Sequence, residues 1–369
     1  MNRAEQSVRS MGMADALRDA MRVAMRADPA VFLLGEDIGV PGGFGGGFTV
    51  TLGLAEEFGR ARVIDTPISE GAIVGAAVGA AMAGSRPVAE MQYGDFVFCA
   101  MDQVVNQAAK MRYMSNGQIR VPMVLRLPVG ASQRGAQHGQ SSEAWFMHTP
   151  GLAVACPATP YDAKGMLIAA IRDDNPATPY DAKGMLIAAI RDDNPVIFLE
   201  HKLLYGAKGP RKEGAQISLG TEVPDGDYEI PLGTIVRRRE GRDITILANM
   251  LMVHRALAAA EALAASGIDS EVIDVRCLVP LDVATVETSI RKTGRLLIVE
   301  EDHLTGGWGA EVAARIADAA FWYLRAPIRR VAGPDTPIPC APALERAWVP
   351  DTDRIIAAAV DLIREIRPR

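Results

Sequence analysis

Two stretches of this sequence concentrate side chains able to move protons. In the first, Glu70 stands directly before Gly71-Ala72-Ile73-Val74-Gly75-Ala76-Ala77-Val78-Gly79. The three glycines fall four apart, so on a helix they form one smooth stripe on which a second helix can approach closely. Each costs about 1 kcal/mol of helix propensity against alanine, which calls for a packing return. That return is either a tight crossing within the chain or a contact between subunits, and the spacing admits both. Glu70 divides in the same way. A carboxylate in a first turn is favoured by the helix dipole, whereas an acid at a partly desolvated subunit seam can hold a proton and give it to a ligand.

The second stretch, Gln133-Arg134-Gly135-Ala136-Gln137-His138-Gly139-Gln140-Ser141, is a polar loop of small residues after an apolar run. Parallel-sheet proteins place ligand-binding groups at such positions. His138 has little apolar context, so a titrating role stands beside an incidental one. His148, His201, His254 and His303 show no ligand spacing and read as structural or surface residues. Cys99, Cys156, Cys277 and Cys340 form no CxxC pair, which points to reduced thiols rather than a zinc site or redox dithiol.

The elements that must position these groups follow from apolar periodicity. Ala16, Leu17, Ala20, Val23 and Ala24 repeat with helical spacing within Met13 to Ala27, and Val31 to Leu34 reads as a buried strand. The glycines from Gly42 to Gly47 match GxGxxG in no register and read as a flexible loop. Apolar runs at Val121 to Leu125, Leu152 to Ala155 and Val196 to Leu199 alternate with helical segments, the pattern of a parallel sheet covered on both faces. From Tyr205 to Gly233 the periodicity lapses. A second alternating set follows, with strands at Ile244 to Leu247, Ser270 to Ile273 and Leu296 to Val299, a helix at Val253 to Ala265 and a last helix at Asp353 to Ile366. The reading is an α/β chain with a first domain over 1–207, a linker over 208–233 and a smaller α/β domain over 234–369.

Ala158 to Pro176 recurs without a change as Ala177 to Pro195. One perfect duplication is not a solenoid, which needs three or more diverged repeats. Each copy carries one apolar helix face, Met-Leu-Ile-Ala-Ala-Ile, so one copy is expected to pack in the first domain and the other to lie at its periphery.

At 369 residues the chain has room for two cores, and 49% hydrophobic with 23% charged residues is the usage of a globular protein. A formal charge of −6 excludes nucleic acid as the main partner, and Arg237-Arg238-Arg239, followed by Glu240, reads as a solvated surface. The longest apolar stretch, Gly71 to Ala83, is too short and glycine-rich to cross a bilayer. With no secretion signal at the start of the chain, a soluble, cytoplasmic protein is expected.

The segments DTPISEGAIVGAAVGAAMAGSRPVAEMQYGDF, MDQVVNQAAKMRYMSNG, QHGQSSEAWFMHTPGLAV, VIFLEHKLLYG and GPDTPIPCAPALERAWVPD closely resemble the beta subunits of the thiamine diphosphate-dependent 2-oxo acid dehydrogenase decarboxylase component. Within that family the resemblance is strongest to acetoin dehydrogenase and then to pyruvate dehydrogenase beta subunits, and it runs from about Met13 to the end. It implies a transketolase-like pyrimidine-binding domain followed by a transketolase C-terminal domain. It also implies an α2β2 heterotetramer with an alpha subunit, thiamine diphosphate shared at the seam, and acyl transfer to the lipoyl group of a dihydrolipoyl acyltransferase. Carried over by motif, Glu70 hydrogen-bonds the aminopyrimidine ring nitrogen, Phe96 lies against that ring, and His138 moves protons at the covalent intermediate and during acyl transfer. Ile190, Asp192 and Asn194 resemble a structural potassium loop, with Ile171, Asp173 and Asn175 as identical candidates in the first copy. No GDG with a downstream Asn is present, the pattern that holds magnesium and diphosphate in the alpha chain. The alternatives are a branched-chain 2-oxo acid dehydrogenase beta subunit, a catalytically idle scaffold, and a self-contained thiamine enzyme. Intact Glu70 and His138 count against the scaffold, and the missing diphosphate motif counts against the self-contained enzyme.

Overall fold

The computed structural model describes residues 8–40, 42–172, 194–206 and 221–365. They form two compact units: one of the residues up to Val129 together with Trp145–Leu232, and one of Gly130–Ala144 together with the residues from Gly233 onward. The first unit thus reaches beyond the boundary expected at 207, and the loop with His138 belongs to the second.

The first unit opens with β1 (Val8–Met11), α1 (Met13–Ala27), β2 (Val31–Gly35), α2 (Leu54–Phe58), β3 (Val63–Asp65), α3 (Glu70–Met82) and β4 (Arg86–Glu90). A 3-10 segment (Gly94–Ala100) and a π-helical segment (Gln103–Ala108) then lead into α4 (Ala109–Met114). Next come β5 (Val124–Val129), β6 (Ala153–Ala155), α6 (Pro160–Arg172), β7 (Val196–His201) and β8 (Thr221–Pro224), with a short helix α5 (Glu143–Met147) between β5 and β6. Strands β6-β7-β5-β4-β2-β3 lie side by side in that order, all parallel. Their residues are apolar in near-continuous runs because helices cover both faces. The chain leaves β2 toward β3 on one side and β4 toward β5 on the other. The crevice at the carboxyl ends of β2 and β4 is therefore the topological switch point, where open α/β sheets bind ligands.

The first copy of the duplication is α6, which packs on α1. Ala163, Met166, Leu167, Ile168 and Ile171 are buried. Lys164 has no exposed surface, pairs with Asp19 at 2.8 Å and donates to the Pro224 carbonyl at 2.7 Å. A fully buried ammonium is tolerated only when paired and hydrogen-bonded, so these partners build the first copy into the core. The second copy lies outside the described residues up to Asn194, and so does the expectation that it is peripheral.

Two expectations are corrected. The segment read as linker carries β8, antiparallel to β1. Beyond it Tyr228 stacks on Tyr161 with centroids 5.0 Å apart, and Ile230 N–H donates to the Gly165 carbonyl at 3.1 Å. Its apolar anchors are too sparse to show a period, although each finds a partner on α6. The glycine stretch 42–47 is a packed turn rather than a flexible loop. Gly45 and Gly46 have positive φ, and a Cβ would strike the Leu52 backbone at the first and the Glu90 carboxyl at the second.

The second unit contains β9 (Val236–Arg239), β10 (Ile244–Ala248), β11 (Ser270–Asp274), β12 (Cys277–Val279), β13 (Leu296–His303) and β14 (Arg329–Gly333). The order β14-β13-β10-β11 is parallel, and β9 closes that edge antiparallel to β11. The arginines of β9 are paired, Arg237 with Glu240 at 2.9 Å, Arg238 with Asp274 at 2.7 Å and Arg239 with Asp269 at 3.2 Å, which accounts for them without a phosphate. No helix among the described residues is long and apolar enough to cross a membrane.

Candidate functional site

Glu70 is the first residue of α3, with Ser69 before it in non-helical backbone and no side-chain cap. The run from β3 to α3 is only Thr66 to Ser69, so Glu70 is held at the carboxyl end of the sheet, half-buried, in a first turn whose N–H groups have no partner within the helix. Beside it, burial together with the charges of Asp37, Glu70 and Asp65 pushes the Glu36 carboxyl up from its ordinary value. Gln92, just past β4, reaches across to Asp37 at 3.5 Å.

Phe96 sits on the 3-10 segment after β4, half-buried, with its edge to Tyr93 at 5.6 Å. Tyr93 meets Phe48 at 5.4 Å, and Phe48 stacks on Tyr205 at 5.0 Å. Gly94 lets this segment approach β5, because a Cβ there would lie 2.7 Å from Val129 Cγ1. The glycine stripe of α3 faces the same segments: a Cβ at Gly71 would meet the Cys99 carbonyl at 3.4 Å and one at Gly75 the Gln103 side chain at 3.4 Å, while at Gly79 it would meet nothing within 4 Å. The intrachain reading thus accounts for two glycines and leaves the third.

Beneath the switch point lies a buried ionic cluster. Arg126 of β5 makes a bidentate pair with Glu200 of β7, both bonds at 2.7 Å, and a short pair with Glu90 of β4. The Tyr205 hydroxyl donates to Glu200 at 2.6 Å. Burial pushes Glu90 up despite the guanidinium beside it, and burial with Glu200 holds Tyr205 well above the ordinary phenol range.

His138 lies half-buried in the second unit, on the loop between β5 and α5, with its N–H donating to the Gly135 carbonyl at 3.2 Å. Ala136 and Gln140 of this loop, with His303, Thr305, Asp335 and Ile338, line a cleft of about 570 Å³. Under the loop, burial and then the charge of Asp302 push Glu143 well above the carboxylate range; its Oε1 accepts from Asn249 at 3.3 Å.

Of the potassium-loop residues, Ile190 and Asp192 lie outside the described residues, as do Asp173 and Asn175, while Asn194 is buried at the entry to β7. The Ile171 carbonyl accepts from Arg86 Nη1 at 3.0 Å, so a guanidinium already serves that oxygen. No cluster of three or more His, Cys, Asp or Glu among the described residues could hold a metal ion. Sequence reasoning passed over Glu36, Glu143, Glu301 and Glu345. Glu36 carried a usable signal, since it directly follows a strand at its carboxyl end. The other three act across long sequence separations that no local pattern shows.

Comparison with known proteins decides the family. Residues 9–177 match the transketolase pyrimidine binding domain and residues 233–355 the transketolase C-terminal domain. The chain is 43% identical over 354 residues to the pyruvate dehydrogenase E1 component subunit beta-2 of Oryza sativa subsp. japonica, covering 96% of this chain and 86% of that one. In Bacillus subtilis it is 42% identical over 369 residues to the acetoin:2,6-dichlorophenolindophenol oxidoreductase subunit beta, covering 97% and 98%. It is also 43% identical over 355 residues to the 2-oxoisovalerate dehydrogenase subunit beta of the same organism, covering 95% and 98%. The chain belongs to the beta subunits of the 2-oxo acid and acetoin dehydrogenases. The solved structure of a split-gene transketolase, an inactive beta4 tetramer, shares the fold, with a TM-score of 0.72, 21% identity and coverage of 97% of this chain and 100% of that one. The first domain match ends at 177, where the second copy of the duplication begins, so the family pattern is met by the copy that forms α6.

Proposed function

We propose that this beta subunit supplies the pyrimidine half of a thiamine diphosphate site, completed by an alpha subunit in an α2β2 heterotetramer. The observation that carries this reading is the placement of Glu70 and Phe96 just past the carboxyl ends of β3 and β4, the two strands that flank β2 in one parallel sheet, with Glu36 at the end of β2 raised by burial and by Asp37, Glu70 and Asp65. A flat, basic heterocycle suits that end, because Glu70 offers it a hydrogen bond with a proton and Phe96 a ring face. A diphosphate does not suit it: Glu36, Asp37 and Asp65 would repel the phosphates. The fit is thus to the aminopyrimidine alone, with diphosphate and magnesium assigned to the alpha chain.

When bound, thiamine diphosphate would supply an acidic carbon whose deprotonated form is the nucleophile toward a carbonyl, and a ring that can take up the electrons of the bond that breaks. Glu70 delivers and recovers a proton at the ring nitrogen, Phe96 fixes the ring plane, and His138 serves protons where the acyl group leaves for a lipoyl domain of the second component. The substrate is acetoin, pyruvate or a branched 2-oxo acid, and the relatives of all three kinds are equally similar, so an assay of the co-expressed α and β chains on the three compounds assigns it. In the assembled Glu70→Gln variant we expect proton exchange at the thiazolium carbon to slow by about 10²-fold or more. Near wild-type exchange in a fully assembled variant would return Glu70 to a helix-dipole role.

A further inference from the structure

The loop carrying His138 has little regular structure to hold it. It runs from Gly130 to the start of α5 with left-handed backbone at Gly130, Gln133 and Gly135. Its own closure is a bond from Gly130 N–H to the Gln140 carbonyl at 3.1 Å. Two further anchors come from side chains remote in sequence. Glu301 Oε1 accepts from Ala131 N–H at 2.6 Å, and Glu345 Oε2 accepts from Gln133 N–H at 2.7 Å.

Both carboxylates are buried, Glu301 at 3% and Glu345 at 7% exposure. Burying such a group is unfavourable unless it is well hydrogen-bonded, and a bond from a backbone N–H to an ionised carboxylate is about twice as strong as a neutral one. Along β13 the successive acids Glu300, Glu301 and Asp302 have different partners. Glu300 is engaged by Arg330 Nε at 2.7 Å and Gly309 N–H at 2.7 Å, and Asp302 by His303 N–H at 2.7 Å, whereas Glu301 turns to the loop. Gln133 has a φ of 61°, a conformation costing a non-glycine residue about 1 kcal/mol, and the bond from its own N–H to Glu345 helps offset that cost.

We propose that Glu301 and Glu345 are positioning residues: they clamp the first turn of the loop by its backbone N–H groups and thereby set where the His138 imidazole stands. The inference rests on the proton-moving role given to His138 above, and its test separates the two. Glu345, on a seven-residue helix (Pro342–Trp348), is the primary target. Glu345→Ala removes the acceptor, whereas Glu345→Gln keeps a carbonyl oxygen for the same N–H.

The experiment uses the assembled α/β enzyme with a lipoyl domain as acceptor. In Glu345→Ala, hydrogen exchange across residues 131–140 rises by about tenfold, and kcat for lipoyl transfer falls by about tenfold with KM little changed. Glu345→Gln restores most of both. Proton exchange at the thiazolium carbon, which needs Glu70, stays at the wild-type rate, and Glu345→Ala adds nothing to the loss already caused by His138→Ala. Glu301→Ala repeats the pattern; should it fail to assemble, Glu345→Ala carries the test. Unchanged loop exchange in Glu345→Ala overturns the clamp. A full additional loss on the His138→Ala background overturns action through His138. Wild-type turnover in His138→Ala instead sinks the role given to His138, and the exchange measurement then decides the clamp alone.

Discussion

Each unit buries a group of carboxylates, and the two groups are neutralised by different means. In the first unit Glu90 and Glu200 flank the guanidinium of Arg126, three side chains on adjacent strands β4, β5 and β7. In the second, Glu143 lies fully buried near Asp302 and Glu301, meets an amide rather than a cation, and is pushed well above the carboxylate range. One guanidinium is shared by both carboxylates of the first group, whereas burial with no cation in contact raises Glu143 in the second. The first is therefore vulnerable to loss of one residue, and the second to a change of pH. The arrangement also suits what each supports: a rigid strand-end platform below Glu70 and Phe96, and an irregular loop around His138.

The largest effect that would break this contrast is at Arg126. Arg126→Met fills similar volume but leaves Glu90 and Glu200 buried without their cation, and removing one partner of a buried ion pair costs about 3–5 kcal/mol. The expected outcome is a chain with a sharply lowered urea midpoint and poor soluble yield. A loss below about 1 kcal/mol would mean that both acids take up protons as readily as Glu143 does, and the two units would then differ in nothing but residue names.

Glu143→Gln sharpens the comparison from the other side. An amide resembles a protonated carboxyl, so at acid pH, where the carboxyl holds its proton, the substitution should shift stability by about 1 kcal/mol or less. The sign of the pH dependence follows from linkage. Glu143 has a raised folded-state pKa, so the native chain holds a proton that the unfolded chain has released; the stability this contributes is present at low pH and lost as pH rises through the folded value. The variant lacks that loss and should gain on the wild type in urea denaturation as pH rises above the ordinary carboxylate range. Parallel curves for the two proteins across the range would show Glu143 already ionised.

The contrast also explains what could be read in the sequence. Helix α1 and the strands from Val31, Val196, Ile244, Ser270 and Leu296 were legible because burial on a sheet or helix face imposes a period or an apolar run. Val121 to Leu125 was legible as a strand but not in its bounds: β5 begins at Val124, after Pro122, which has no N–H to donate. Glu70 was legible as a first-turn acid and Glu36 by its place directly after a strand, while their closeness emerges only when β2 and β3 are set side by side. The supports of His138 were not legible at all. Ala131 and Glu301 are 170 positions apart and Gln133 and Glu345 212 apart, and a bond from a carboxylate to a backbone N–H leaves no mark on the identity of the residue that donates it.

The smallest expected effect concerns the one glycine of the α3 stripe that the fold of this chain leaves unexplained. Gly71 and Gly75 face residues 99 and 103 at ordinary contact distance, so an added methyl there has a neighbour to press on, whereas Gly79 is exposed and a methyl there would meet open space. Gly79→Ala in the chain purified alone should therefore stabilise α3 by about 0.5–1 kcal/mol through reduced unfolded-state entropy. In the proposed heterotetramer the same methyl lands on whichever subunit the stripe packs against, and the gain should vanish or reverse. Two unfolding midpoints, for the lone chain and for the assembly, give the comparison. An equal gain in both would leave Gly79 facing solvent in the assembly and confine the stripe to its crossing with residues 94–108. A gain in the lone chain paired with weaker association would instead extend the stripe into a subunit contact, with Glu70 directly before its first glycine.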